Sequence, residues 1–241
     1  MDQNDEAPHP LSKIFVLYAI RSAHEFCAAR IRKKLADGTD ASTLLAEAYE
    51  TVRRDIGPFP SEETHGNDPY LEEGDPLERD MREIASRNFE SLSETESYMW
   101  GLGIAGVFHQ WERDSREAVA TLGNPPPEVD QLNKMTFEPL CSEIEKTGFA
   151  IRQHASFQDL RTACLITNTI KHGDGPSFKL LVAEKLEMFQ GGPVGVRMGN
   201  LPPEPRHLRI WHKHFDEVVA AIYKIWDAYE DAVIRKKTDD S

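Results

Sequence analysis

Apolar residues recur along this chain at spacings of three and four and almost nowhere in strict alternation. That periodicity predicts helices and argues against a sheet. The clearest stripe lies near the C-terminus, where Trp211, Phe215, Val218, Val219, Ile222, Ile225 or Trp226, and Tyr229 share one face of a helix expected from Leu208 to Lys237. Pro10 opens a first helix, Leu11 to Ala36, through Ile14, Leu17, Tyr18, Ile20 or Arg21, Ala28 and Ile31. Arg30, Arg32, Lys33 and Lys34 load its last turns and Asp37-Gly38 stops it, as the helix dipole and the left-handed cap require. A second helix, capped by Asp40 or Ser42, runs to about Asp55 through Leu44, Leu45, Ala48 and Val52, and residues 57–76 read as a long surface loop.

Asp75-Pro76 then starts a helix by the rule that places proline at the first helical position. It is expected to reach about Ser93, with Ser93 or Thr95 capping a further helix toward Leu122. Gly101, Gly103 and Gly106 fall inside that helix. Each costs about 1 kcal/mol relative to alanine, so three of them predict that another backbone packs very close. Gly123-Asn-Pro-Pro-Pro127 is a hard break within one domain. A short helix follows from Phe137 to Gly148, and Ser156 caps another that carries Leu160, Ala163, Leu165, Ile166 and Ile170 and ends at Lys171-His172. A last short helix fits Ser177 to Phe189, and residues 191–205 read as a mobile loop. The expected fold is all-α: an up-and-down helical bundle with long loops, one domain over residues 11–237, and a disordered tail at 1–10.

Composition narrows the partners. With 39% hydrophobic residues in 241 the chain can build a core, and its net charge of -13 repels nucleic acid at long range. Any RNA contact must come from a local basic patch. Cys27, Cys141 and Cys164 are an odd number without close spacing, among apolar neighbours, and read as buried hydrophobes in a reducing compartment. The acidic start shows no signal peptide, and no apolar run reaches the roughly 18 residues of a membrane span. The expectation is a cytoplasmic protein without a membrane anchor.

Candidate chemistry concentrates in Asn168-Thr-Ile-Lys-His172-Gly-Asp-Gly-Pro-Ser177. Asn168 and His172 are four apart on a helix, and Arg161 is seven and eleven residues before them, so the three share an azimuth, with Lys171 at its edge. Arg161 stands about 10.5 Å of helical rise from Asn168, so it joins a small site only through its long side chain or by gripping a distal phosphate. Such a set permits metal-free RNA cleavage. The imidazole exchanges protons, a cation stabilises the phosphorane, and the amide orients. Lys and His before a glycine are also ordinary helix-stop residues.

A second cluster is His109, Glu112 and Arg113 with Arg116: His109, Glu112 or Arg113, and Arg116 face one side at helical spacing, and Glu112 can orient the histidine or pair with Arg116. His24, His109 and His172 lack the spacing of a metal motif, and Gly173-Asp-Gly-Pro176 lacks the Gly-Lys-Ser/Thr ending of a phosphate loop. No cofactor or metal is expected in the leading reading, and a third reading is a metal-dependent helical enzyme that uses His24, His109 and His172. His212 and His214 are two apart and make a poor chelate on a helix.

The Asn168–Ser177 segment, with Phe157-Gln-Asp-Leu-Arg161 before it, resembles the motif helix of bacterial HEPN-like proteins, and Phe108-His-Gln-Trp-Glu-Arg113 resembles a stretch of uncharacterised members of that group. The resemblance implies a helical bundle, usually a homodimer. Many members are ribonucleases of toxin–antitoxin, abortive-infection or other antiphage systems. Their site is an arginine, a polar residue and, a few positions on, a histidine. Asn168 matches the polar position and His172 the histidine, but Thr167 stands where the arginine should be. Arg161 or Lys171 would have to substitute, or the module is inactive and binds a partner subunit. The expectation is a ribonuclease, toxin or antiphage defence protein acting on RNA, partnered by a second copy and by an antitoxin or defence-system protein. The alternative is a catalytically inactive interaction module.

Overall fold

The computed structural model describes residues 10–36, 76–123, 125, 127–189 and 203–239. The expected helix at 40–55, all but the last residue of the loop at 57–76, nearly all of the N-terminal tail and most of the 191–205 loop lie outside the described residues. The described chain forms α1 (Pro10–Ala36), α2 (Pro76–Leu122), α3 (Val129–Lys134), α4 (Phe137–Lys146), α5 (Phe157–His172), α6 (Pro176–Glu184) and α7 (His212–Asp239), with short 3-10 turns between them. No strand occurs among the described residues, so the all-α expectation holds.

α2 and α7 pack together, and α1 and α5 each pack against both. α6 folds back on α5, and α3 and α4 pack on α2. The predicted stripe of α7 is the core seam: Phe215, Val218, Ile222, Ile225, Trp226 and Tyr229 are all buried. Each such side chain contributes about 1.5–3 kcal/mol on burial. On α1, Leu17, Ile20 and Ala28 face inward as expected, whereas Tyr18 is exposed. His24 fills the gap in that stripe, fully buried, with Nε2 3.3 Å from the Val107 carbonyl and its ring edge-on to Tyr223. Cys141 and Cys164 are buried free thiols and Cys27 is half-buried.

Two boundaries and one packing expectation differ from what the sequence suggests. α2 is one helix of 47 residues instead of two. Neither supposed capping hydroxyl caps a helix: Thr95 donates back to the Ser91 carbonyl at 2.9 Å, and Ser93 is buried with its hydroxyl oxygen unpartnered. α7 begins at His212 instead of Leu208, because Ser97 of α2 holds the preceding residues extended. The Ser97 hydroxyl donates to the Leu208 carbonyl at 3.0 Å and accepts the Ile210 N–H at 2.7 Å. The glycines of α2 make room for side chains, not for a backbone. A Cβ on Gly101 would stand 2.4 Å from Ile170 Cδ1, and one on Gly103 would stand 2.7 Å from Leu35 Cδ1.

Candidate functional site

Four of the elements converge on one groove of about 420 Å³. α2 contributes Phe108, His109 and Glu112, and α5 contributes Arg161, Cys164, Leu165, Asn168 and Lys171. The start of α4 (Thr136 to Glu138) and Ser177 and Leu180 of α6 complete the wall. α5 ends here because Gly173 takes a positive φ of 63° and donates to the Thr169 carbonyl at 2.8 Å. Pro176 then opens α6 and directs it back along the groove.

The structure therefore brings together Arg161, Asn168 and Lys171 of the first predicted cluster and His109 and Glu112 of the second. His172 and Arg113 are not among them. His172 is solvent-exposed and does not line the groove. Arg113 is largely exposed and donates to Gln110 Oε1 at 2.7 Å. Azimuth alone puts His172 on the groove face. How far the groove runs along the helix is set by α2 and α6, and it stops short of the terminal imidazole, while the four-carbon stem of Lys171 still reaches. His24 and His172 do not join His109. No group of three or more His, Cys, Asp or Glu placed to share an ion occurs among the described residues.

Within the groove, His109 Nδ1 lies 2.9 Å from Glu112 Oε2, one turn on, and the ring's Nε2 is buried with no hydrogen-bond partner. Glu112 is in turn held by Arg116, whose Nη2 is 3.8 Å from Glu112 Oε1. Arg116 also donates from Nε to the Leu132 carbonyl at 3.0 Å and from Nη2 to the Met135 carbonyl at 2.9 Å, which pins the α3–α4 connection to α2. A carboxylate on Nδ1 fixes the tautomer with its proton there, so Nε2 presents a lone pair. That is the arrangement of an oriented general base.

The other wall carries two cations, Lys171 and Arg161, beside the carboxylate of Glu138. Lys171 makes no ion pair among the described residues, and Arg161 is paired with Glu184. Asn168 places its amide nitrogen 3.5 Å from Cys164 Sγ. Burial, with Glu112 and Glu138 nearby, pushes the Cys164 thiol up to about 12, so it is no nucleophile near neutral pH. Sequence reasoning missed the wall supplied by Thr136, Phe137, Glu138, Ser177 and Leu180. These residues belong to short amphipathic helices whose exposed positions carry no signal of where they dock. Cys164 and Leu165, three and four after Arg161 and four and three before Asn168, were legible as neighbours on the same face.

Two of the three histidines near the start of α7, His207 and His214, serve as caps. His207 Nδ1 accepts the Glu204 N–H and His214 Nδ1 accepts the Trp211 N–H, each at 3.0 Å. No described helix is long and apolar enough to cross a membrane. No family model matches this chain, and neither a curated protein nor a solved structure matches it.

Proposed function

We propose that this protein is a HEPN-like, RNA-acting protein of the toxin or antiphage-defence type, and that it cleaves RNA by metal-independent acid–base chemistry in the α2–α5 groove. The observation that carries the reading is convergence. The two segments that bear the resemblance, Phe108–Arg113 and Phe157–Ser177, are far apart in sequence and line one cavity, where they set an oriented imidazole opposite an amide and two cations.

In this reading His109, not His172, is the base. Its Nε2 takes the proton of a ribose 2'-hydroxyl, the freed oxygen bonds to the adjacent phosphorus, and the bond to the 5'-oxygen breaks. The leaving oxygen takes a proton from water, and the product strand ends in a cyclic phosphate. Asn168 donates to a non-bridging phosphoryl oxygen and Lys171 offsets the developing charge. Nε2 is covered in the unliganded groove, so part of the wall must give way as the substrate binds.

The test is incubation of the purified protein with single-stranded RNA in the presence of a chelator. Cleavage to cyclic-phosphate ends that disappears in His109→Ala and persists in His172→Ala supports the reading. Cleavage lost only in His172→Ala would move the base back to the helix end, and no cleavage of any RNA would leave the groove without this function.

A second reading, self-association or partner binding without catalysis, is favoured by a different observation. Cys27, Ile31 and Leu35 of α1 and Met99 and Leu102 of α2 line a shallow apolar groove edged by Arg30 and Lys34, and Phe26 nearby in sequence is 68% exposed. The occupant in this reading is a second copy of the chain. A homodimer in sedimentation that dissociates in Leu102→Glu supports it, and a monomer at all concentrations removes it.

A further inference from the structure

Arg161 does not face the groove unopposed. Its Nη1 is ion-paired with Oε2 of Glu184, the last residue of α6, and Gln158 Nε2 approaches the same oxygen at 3.2 Å. The two partners' side chains are only 25% and 28% exposed, so water screens the pair incompletely. A carboxylate offers a guanidinium the same pair of anionic oxygens that a phosphate does. Further along the same helix, Asn168 and Lys171 line the groove, two and nearly three turns from Arg161. The rise from Arg161 to Lys171 is about 15 Å, too far for one phosphate to bridge.

We infer that the groove holds two anion subsites along α5, one at Asn168 and Lys171 and a distal one at Arg161, and that Glu184 occupies the distal subsite as an internal substitute for phosphate. The ligand that fits is a strand with successive phosphates, which must displace the Glu184 carboxylate to engage fully. α6 therefore acts as a latch on its own binding groove. The identity of the strand as RNA rests on the function proposed above. The anion chemistry at Arg161 does not.

The probe is a short, fluorescent 2'-O-methyl oligoribonucleotide, which cannot be cleaved by 2'-hydroxyl attack, titrated by anisotropy. Glu184→Gln keeps an oxygen for Arg161 and Gln158 but removes the charge. It is expected to bind the oligomer about three- to tenfold more tightly than the wild type, and adding Arg161→Ala is expected to cancel the gain. A dinucleoside monophosphate, with one phosphate, should show no gain. Glu187→Gln, which removes the same charge three residues on, should bind like the wild type.

No gain in Glu184→Gln, or the same gain in Glu187→Gln, overturns the latch. A gain for inorganic phosphate equal to that for the oligomer supports the latch and overturns the strand. Cleavage by the wild type without a Glu184→Gln gain sinks this inference alone, whereas a gain without cleavage sinks the ribonuclease reading alone.

Discussion

Glu112 holds the His109 ring from one turn away on α2, with Nδ1 and Oε2 2.9 Å apart, and leaves the opposite ring nitrogen buried without a partner. The Phe108 and Trp111 rings stack beside this pair, with centroids 5.7 Å apart, so the histidine backbone stands on a rigid part of the helix. Removing the carboxylate frees the tautomer. Under the proposed ribonuclease function, Glu112→Gln is expected to lower RNA cleavage by about 10²–10⁴-fold, and His109→Ala by at least as much, with circular dichroism unchanged. A Glu112→Gln protein that cleaves at the wild-type rate would show that the pair is only structural.

Under the same proposal, Lys171 is expected to contact phosphate without reading bases. Lys171→Ala should weaken binding of all RNA sequences alike and reduce the slope of log affinity against log salt by about 1. Titrations at several salt concentrations check this, and an unchanged slope would place Lys171 outside the interface.

The glycines of α2 are not equivalent. Gly101→Ala would drive a methyl against Ile170 and Ile210, both within 2.9 Å of its Cβ, and should destabilise the protein by about 1–3 kcal/mol. At Gly106 the nearest atom, Ile31 Cδ1, is 3.5 Å from the added Cβ, so Gly106→Ala should stabilise by up to about 1 kcal/mol through helix propensity. Urea unfolding of the two variants compares them directly, and equal shifts would contradict the packing described.

Acid should loosen the fold through histidine. Burial lowers the His24 pKa below its ordinary value of 6.5, and burial with Lys213 nearby lowers that of His214 to about 4. A group whose folded pKa is depressed takes up its proton more readily when unfolded. Its effect is nil well above pH 6.5, and stability falls as the pH drops from 6.5 toward 4. Protonated Nδ1 of His214 also loses its capacity to accept the Trp211 N–H. His214→Asn, whose oxygen can still accept that bond, should lose less stability between pH 7 and pH 4.5 than the wild type in thermal unfolding. Parallel pH profiles would show that His214 carries none of the effect.

Tyr229 closes the far end of the core. Its hydroxyl lies 2.9 Å from Thr147 Oγ1, and its ring stacks on Phe149 and Trp226. Thr147 donates to the Ile144 carbonyl at 2.6 Å, so the phenol is the donor to Thr147. Tyr229→Phe keeps the stacking and loses only that bond, with an expected cost of about 1 kcal/mol. A cost several times larger, measured by chemical unfolding, would mean that Thr147 also moves.

The longer helices were legible because their cause is local, whereas the six-residue α3 was not expected from the sequence. A 3.6-residue stripe such as Phe215 to Tyr229, a proline at a first turn such as Pro76, and a glycine stop such as Gly173 act over a few residues of chain. The same short-range geometry put Arg161 and Asn168 on one face of α5 and His109 beside Glu112 on α2. Where α7 begins was not legible, because a serine on another helix, Ser97, decides it. Nor was it legible that Ser93 and Thr95 would sit inside one long helix.

By itself the sequence determined the all-helical character, most of the described helices and the chemical groups that each of them carries. Only the tertiary structure decided which of those groups meet: His109 with Lys171 and Asn168 across one groove, His172 left in solvent, and Arg161 bound to Glu184. The reason is physical. Periodicity fixes the angle at which a side chain leaves its helix, but packing against distant helices fixes how far along that helix a groove extends.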